Sequence, residues 1–130
     1  MNAEFLRYHL PAILWAGTIF VFSSIPSTSI PEFSIFSQDK LLHAAVFFVL
    51  AVLLYRSFSS QRRFPALVRH AKLWTLAVAA LYGVSDEIHQ LHVAGRSADY
   101  RDVIADVVGA MAFILLIWYR DTLRRKAQQG

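Results

Sequence analysis

The chain contains no cysteine, which rules out a disulfide framework, a thiolate metal site and a thiol nucleophile. Charge is also scarce. Only 17% of the residues are Asp, Glu, Lys or Arg, against roughly 25% in an average soluble domain. No phosphate-cradling glycine loop and no H-E-x-x-H order occurs, so nucleotide-loop and zinc-protease chemistry have no support in the motifs. Between Tyr8 and Asp39 there is no Lys or Arg at all.

What is present is apolar. Hydrophobic residues make up 56% of the 130 positions, and mean hydropathy is +0.43. A spanning helix needs about 20 largely apolar residues, and four stretches qualify, approximately 6–25, 41–57, 73–91 and 103–119. The expected fold is therefore all-α, an integral membrane four-helix bundle forming a single domain over residues 1–130. Pro26, Pro31 and recurrent Ser and Thr mark the first connection as a loop, and a basic loop surrounds Pro65. The first stretch lacks an A-x-A-like cleavage site and carries Pro26, so it reads as a retained helix rather than a signal peptide.

Positive charge orients the bundle. Arg7 precedes the first stretch. Arg56, Arg62, Arg63, Arg69 and Lys72 fill the second loop, where no acidic partner is expected for them, and Arg120, Arg124, Arg125 and Lys126 follow the last stretch. Both termini are expected in the cytoplasm, with the chain in the inner membrane of a cell. The basic excess is then explained by anionic lipid, worth about 1 kcal/mol per residue near the surface. The bilayer is the expected partner, and nucleic acid is not needed.

Against this background the segment "YGVSDEIHQLHVAGRSADYRDVIADVVGA", residues 82–110, stands out for its acids. An ionised side chain near mid-membrane costs roughly 2.5–3.5 kcal/mol on insertion scales. In the expected topology three stretches bring polar residues to the outer side: Asp39, Lys40 and His43; Asp86, Glu87, His89 and Gln90; and Arg96, Asp99, Asp102 and Asp106. Helical spacing groups them further, because positions three or four apart share a face. Gly83, Glu87 and Gln90 form one stripe, Tyr82, Asp86 and His89 a neighbouring one, and Asp99, Asp102 and Asp106 a third. Gly83, Ala105 and Gly109 are small enough to let backbones approach.

Lys40, Arg96 and Arg101 are the cations within reach of these acids. Shared protons or a bound cation would relieve the remaining charge. Bland roles compete. Asp39 and one of Asp99 and Asp102 suit a helix N-cap, Lys40 suits snorkelling, and a lone histidine such as His43 suits packing. Imidazole and carboxylate also suit divalent ions, so Glu87, His89 or His43 could join Asp102 or Asp106 around a metal. No recognised ligand spacing supports that set, and no metal or cofactor is assigned. Ser85 beside Asp86 and His89 has no triad spacing.

Two spaced motifs carry a family resemblance. "DKLLHAAVF" provides Asp39, Lys40, His43 and Phe47 of a D-K-x-x-H-x-x-x-F pattern. "DEIHQLHVAGRSADYRDVIADVVGA" provides Asp86, Glu87, Gln90 and Arg96 of D-E-x-x-Q-x-F-x-x-x-R, then Asp102 and Gly109 of D-x-x-x-N-x-x-G. The chain resembles the VanZ-like family of small bacterial membrane proteins. It departs from the pattern at Asp106, where Asn is usual, and His92, where Phe is usual. The first change adds an acid to the buried set. The resemblance implies an envelope setting, the founding member being an accessory protein of glycopeptide resistance; resistance itself is not assigned to this chain.

The expected function is binding of, or chemistry on, a lipid-linked or amphiphilic envelope ligand at an outward-facing acidic pocket. Glu87, Asp86 and His43 are the acid–base candidates. Asp39, Lys40, Gln90, Arg96, Asp102 and Asp106 form the polar network, with Lys40 and Arg96 as holders of anionic groups. The alternatives are an accessory protein whose ionic network fixes helix packing or a partner, and small-solute or proton transport.

Overall fold

A computed structural model describes residues 3–26 and 36–130, with side chains described from Lys40 onward in the second segment. The described residues form helices and connecting turns, without strands. In chain order the helices are α1 (Ala3–Tyr8), α2 (Leu10–Ser23), α3 (Phe36–Ser60), α4 (Pro65–Arg69), α5 (Ala71–Gln90) and α6 (Tyr100–Gln129). The four expected stretches correspond to α1 with α2, then α3, α5 and α6.

The helices depart from the expected bounds for identifiable reasons. The first stretch is divided at His9, next to Pro11, whose ring nitrogen has no N–H to give. His9 nevertheless keeps an αR backbone, and the bonds His9 N to Phe5 O (2.9 Å) and Ile13 N to His9 O (3.3 Å) carry the helical rise through the division. The basic loop contains the short helix α4, opened by Pro65, whose fixed φ suits a first helical position. The last helix continues through Arg120, Arg124 and Arg125 as an exposed extension.

Two helices, Lys40–Ser60 within α3 and Tyr100–Gln129, are long and apolar enough to cross a membrane. The sequence led us to expect four such spans. By itself α2 is too short, and the polar end of α5, with Asp86, Glu87, His89 and Gln90, offsets its apolar remainder.

Cross-helix bonds give the directions. α3 and α6 run alongside one another, with Lys40 opposite Asp102, His43 opposite Asp106 and Phe48 against Phe113. Against them, α5 runs the other way, so Lys72 at its start meets Asp121 (2.8 Å) and Glu87 near its end meets Asp99. α2 follows the direction of α5. Its Trp15 donates to Val46 O (3.1 Å), and its Ala16 carbonyl accepts from Tyr82 (2.6 Å).

The interior joins Ile19, Phe47, Leu50, Ala51, Ala79, Ala110, Phe113 and Ile117. Small residues govern how closely the helices approach. A Cβ at Gly109 would lie 2.0 Å from the carbonyl oxygen of Ala44, so α3 and α6 touch backbone to backbone there. At Gly83 it would lie 2.8 Å from Asp106 Oδ2. Large apolar side chains point outward instead, among them Leu14, Phe22, Leu41, Leu81 and Leu115.

Replacing Gly109 with Ala forces these backbones apart, and we expect a lower melting temperature, equivalent to about 1–3 kcal/mol of overpacking. Gly17→Ala is the control. A Cβ there meets nothing within 4 Å, so thermal unfolding of the purified chain should show no loss.

Candidate functional site

The chain places a helix end at each of the positions where polar residues cluster in sequence. α5 ends at Gln90, Gly95 turns the chain with a φ of 74°, and α6 begins at Tyr100. Asp99 is the N-cap of α6: its carboxylate accepts from Arg101 N (2.9 Å), and its carbonyl accepts from Asp102 N (2.9 Å). Its own N–H donates to Glu87 Oε2 at 2.7 Å. In an ordinary capping box that N–H is taken by an acid of the same helix. Here the acid comes from α5, so one contact both caps α6 and sets its height against α5.

The first cluster lies between α3, α5 and α6. Lys40 donates to Asp99 Oδ2 (3.0 Å) and to Asp102 Oδ1. One turn deeper, His43 donates from Nδ1 to Asp106 Oδ1 (3.0 Å), while its Nε2 lies 4.0 Å from Asp102 Oδ2, beyond hydrogen-bond reach. Burial increases along this line. The side chains of Lys40 and Asp99 are 36% and 37% exposed, that of Asp102 10% and that of Asp106 1%. Glu87 is buried beside them, and among the described residues its Oε1 has no hydrogen-bond partner.

A second cluster faces α2. Asp86 accepts from Ser23 Oγ (2.6 Å) and from Gln90 Nε2 (3.0 Å), so each carboxylate oxygen has a neutral donor. His89 lies against Ser24 Oγ (2.9 Å) and the Phe20 ring. The two stripes read on α5 thus serve different neighbours, the Glu87 stripe looking to α3 and α6 and the Asp86 stripe to α2. Gln90 belongs to the second cluster through its bond, although its spacing had grouped it with Glu87. Ser23 and Ser24 were missed, because a serine at a helix end carries no directional signal in sequence.

Arg96, expected to lie among acids, donates instead to Ile25 O (3.1 Å) and Phe22 O (3.5 Å). The last carbonyls of a helix are partial negative charges without intrahelical donors, and Arg96 meets one of these, Phe22 O, together with the Ile25 carbonyl in the turn that follows α2. Arg101 lies over the Tyr100 ring. Lys72 and Arg62 of the basic segment do find acids, in Asp121 and Glu4, from outside their own loop. Asp39 lies in α3, but its side chain is outside the described residues. Among the described residues no three His, Asp or Glu side chains are placed to hold a metal ion. A cavity of about 270 Å³ lies at the other end of the helices, lined by Tyr55, Arg69, His70 and Lys72 among others.

The pattern of the VanZ/LLP1 family matches residues 8–123, and the chain belongs to that family. No curated protein and no solved structure matches it. The match takes in α2 together with α3, α5 and α6, a wider extent than the two motifs alone.

Two outcomes follow from this geometry. A double-mutant cycle with Ser23→Ala and Asp86→Ala should return a coupling of about 1 kcal/mol in thermal unfolding, and additivity of the two changes would contradict the bond. Asp99 is held below the usual carboxylate range by the Arg101 N–H and then by the Lys40 ammonium. A depressed folded value gives stability that is present above the ordinary carboxylate range and lost as pH falls through it. The melting difference between wild type and Asp99→Asn, which keeps the cap, should therefore close as pH drops below about 4.

Proposed function

We propose that the chain is an integral four-helix bundle of the inner membrane, one domain with both termini cytoplasmic. The polar cluster then binds or acts on a lipid-linked or amphiphilic envelope ligand at the outer face. The observation that carries the reading is Glu87, a buried carboxylate with one oxygen unpartnered among the described residues, set beside His43, Asp102 and Asp106 and joined to Lys40 through Asp99. Buried polar atoms are nearly always partnered in native proteins, and a ligand donor meets that requirement here.

Several features support the membrane placement. Residues 3–23, with the rise carried through His9, and α5 are each about 30 Å long at 1.5 Å per residue, matching the hydrocarbon thickness. The outward Leu14, Phe22, Leu41, Leu81 and Leu115 suit lipid contact, and the Lys and Arg residues other than Lys40, Arg96 and Arg101 gather at the end opposite the cluster. Within the cluster, Glu87 and His43 are the groups suited to acid–base work, while Lys40 and Asp99, half exposed, stand at its entrance.

A second reading has its own observation. Asp86 is fully met by Ser23 and Gln90, and Arg96 by backbone carbonyls, the arrangement of a network that holds helices in register. We assign these residues to packing and keep the ligand role for the Glu87 cluster.

Reporter fusions active only outside the cytoplasm, placed after Ser34, Pro65, Ala94 and Gln128 in separate chains, test the topology. Signal after Ser34 and Ala94 alone is expected; signal after Pro65 or Gln128 would move the cluster to the cytoplasmic face. Glu87→Gln then separates the two readings in detergent. A melting temperature close to wild type is expected of a ligand group, and a large fall would make Glu87 a packing residue like Asp86.

A further inference from the structure

Around Glu87 the described charges do not balance. The carboxylates are Glu87 itself, the cap residue Asp99, and Asp102 and Asp106 of α6; the basic groups facing them are Lys40 and His43 of α3, with Arg101 beside Asp99. Even with His43 protonated, acids exceed bases. Arg96 is elsewhere, bonded to the turn that follows α2. An anionic group brought to this cluster would meet uncompensated carboxylates in a poorly hydrated place, where like charges repel most strongly. A cation would relieve them.

The cluster also shows which cation its geometry accepts. Lys40 seats a primary ammonium between Asp99 and Asp102, and beside that pair the remaining oxygen of Glu87 has no donor among the described residues. A quaternary ammonium supplies charge but no N–H. A primary ammonium supplies both, through charge-assisted hydrogen bonds.

We infer that the ligand group received at Glu87 is a primary ammonium carried by an amphiphile, an ethanolamine-type lipid headgroup, seated against Glu87 Oε1 beside the Lys40–Asp102 pair. This rests on reading the cluster as a ligand site and narrows it to one headgroup chemistry. It also reverses the sign expected from sequence, where Lys40 and Arg96 were to hold anionic groups.

The test follows thermal unfolding of the full chain in a non-ionic detergent as short-chain phosphatidylethanolamine is added. Parallel titrations use its mono-, di- and trimethylated analogues, short-chain phosphatidylglycerol, and soluble ethanolamine. Stabilisation should be greatest with the ethanolamine lipid and decline as N–H groups are replaced, the trimethylated lipid binding about tenfold more weakly, as loss of one charge-assisted bond implies. Glu87→Gln should abolish that ranking. Should the variant fail to fold, the methylation series on the native chain still decides the matter. Equal stabilisation across the series would overturn the inference. A Glu87-dependent preference for phosphatidylglycerol would keep the ligand site and overturn the ammonium. Soluble ethanolamine acting as strongly as the lipid would overturn the amphiphile while supporting the ammonium. No response to any of these probes overturns both the headgroup and the ligand reading.

Discussion

A carboxylate inside a helix bundle has to be met by donors, and the polar end of this molecule is organised by that requirement. Glu87 accepts the N–H of the residue that caps α6, so the height of α6 against α5 follows from where the acid stands. With α6 placed, Asp102 and Asp106 come opposite Lys40 and His43, which sets α3. Asp86, one residue earlier on α5, draws in the end of α2 through Ser23. Adjacent acids on one helix therefore address different neighbours, because successive helical positions point about 100° apart.

The apolar contacts allow this arrangement without specifying it. Leucine and alanine faces tolerate sliding and rotation, whereas a hydrogen bond to a buried carboxylate does not. The Gly109–Ala44 contact adds a steric stop, bringing α3 and α6 together at the level just beyond Asp106. Packing and polar contacts thus have separate roles, the first setting the distance between helices and the second their register.

Much of this was legible in the sequence. The four apolar stretches, the gathering of polar residues at three helix ends, a cap at one of Asp99 and Asp102, and the close approaches at Gly83 and Gly109 follow from spacing and residue type. The illegible parts share a cause. Serine bonds to many partners, so nothing marked Ser23 as the donor to Asp86. Arg96 was expected among side-chain acids, since the carbonyls at the end of α2 leave no trace in residue identity. The division at His9 depends on Pro11, whose effect on an adjacent helical turn varies with context. Composition counted the 73–91 stretch among those apolar enough to span, but the polar residues already read at its end, which the neighbouring helices cover, offset that count.

The short return between α5 and α6, closed by the Glu87 contact to Asp99, bears on how such a chain is made. If helices enter a bilayer singly as they emerge from the ribosome, α5 would present Asp86 and Glu87 to lipid before either had its cross-helix partners. In the membrane arrangement we propose, entry of α5 and α6 as a hairpin would supply the Glu87 contact during insertion, and α2, already synthesised, would supply Ser23 for Asp86. The order of biosynthesis and the pattern of buried acids are then linked: the segment costliest to insert is made after one of its partners and immediately before the other.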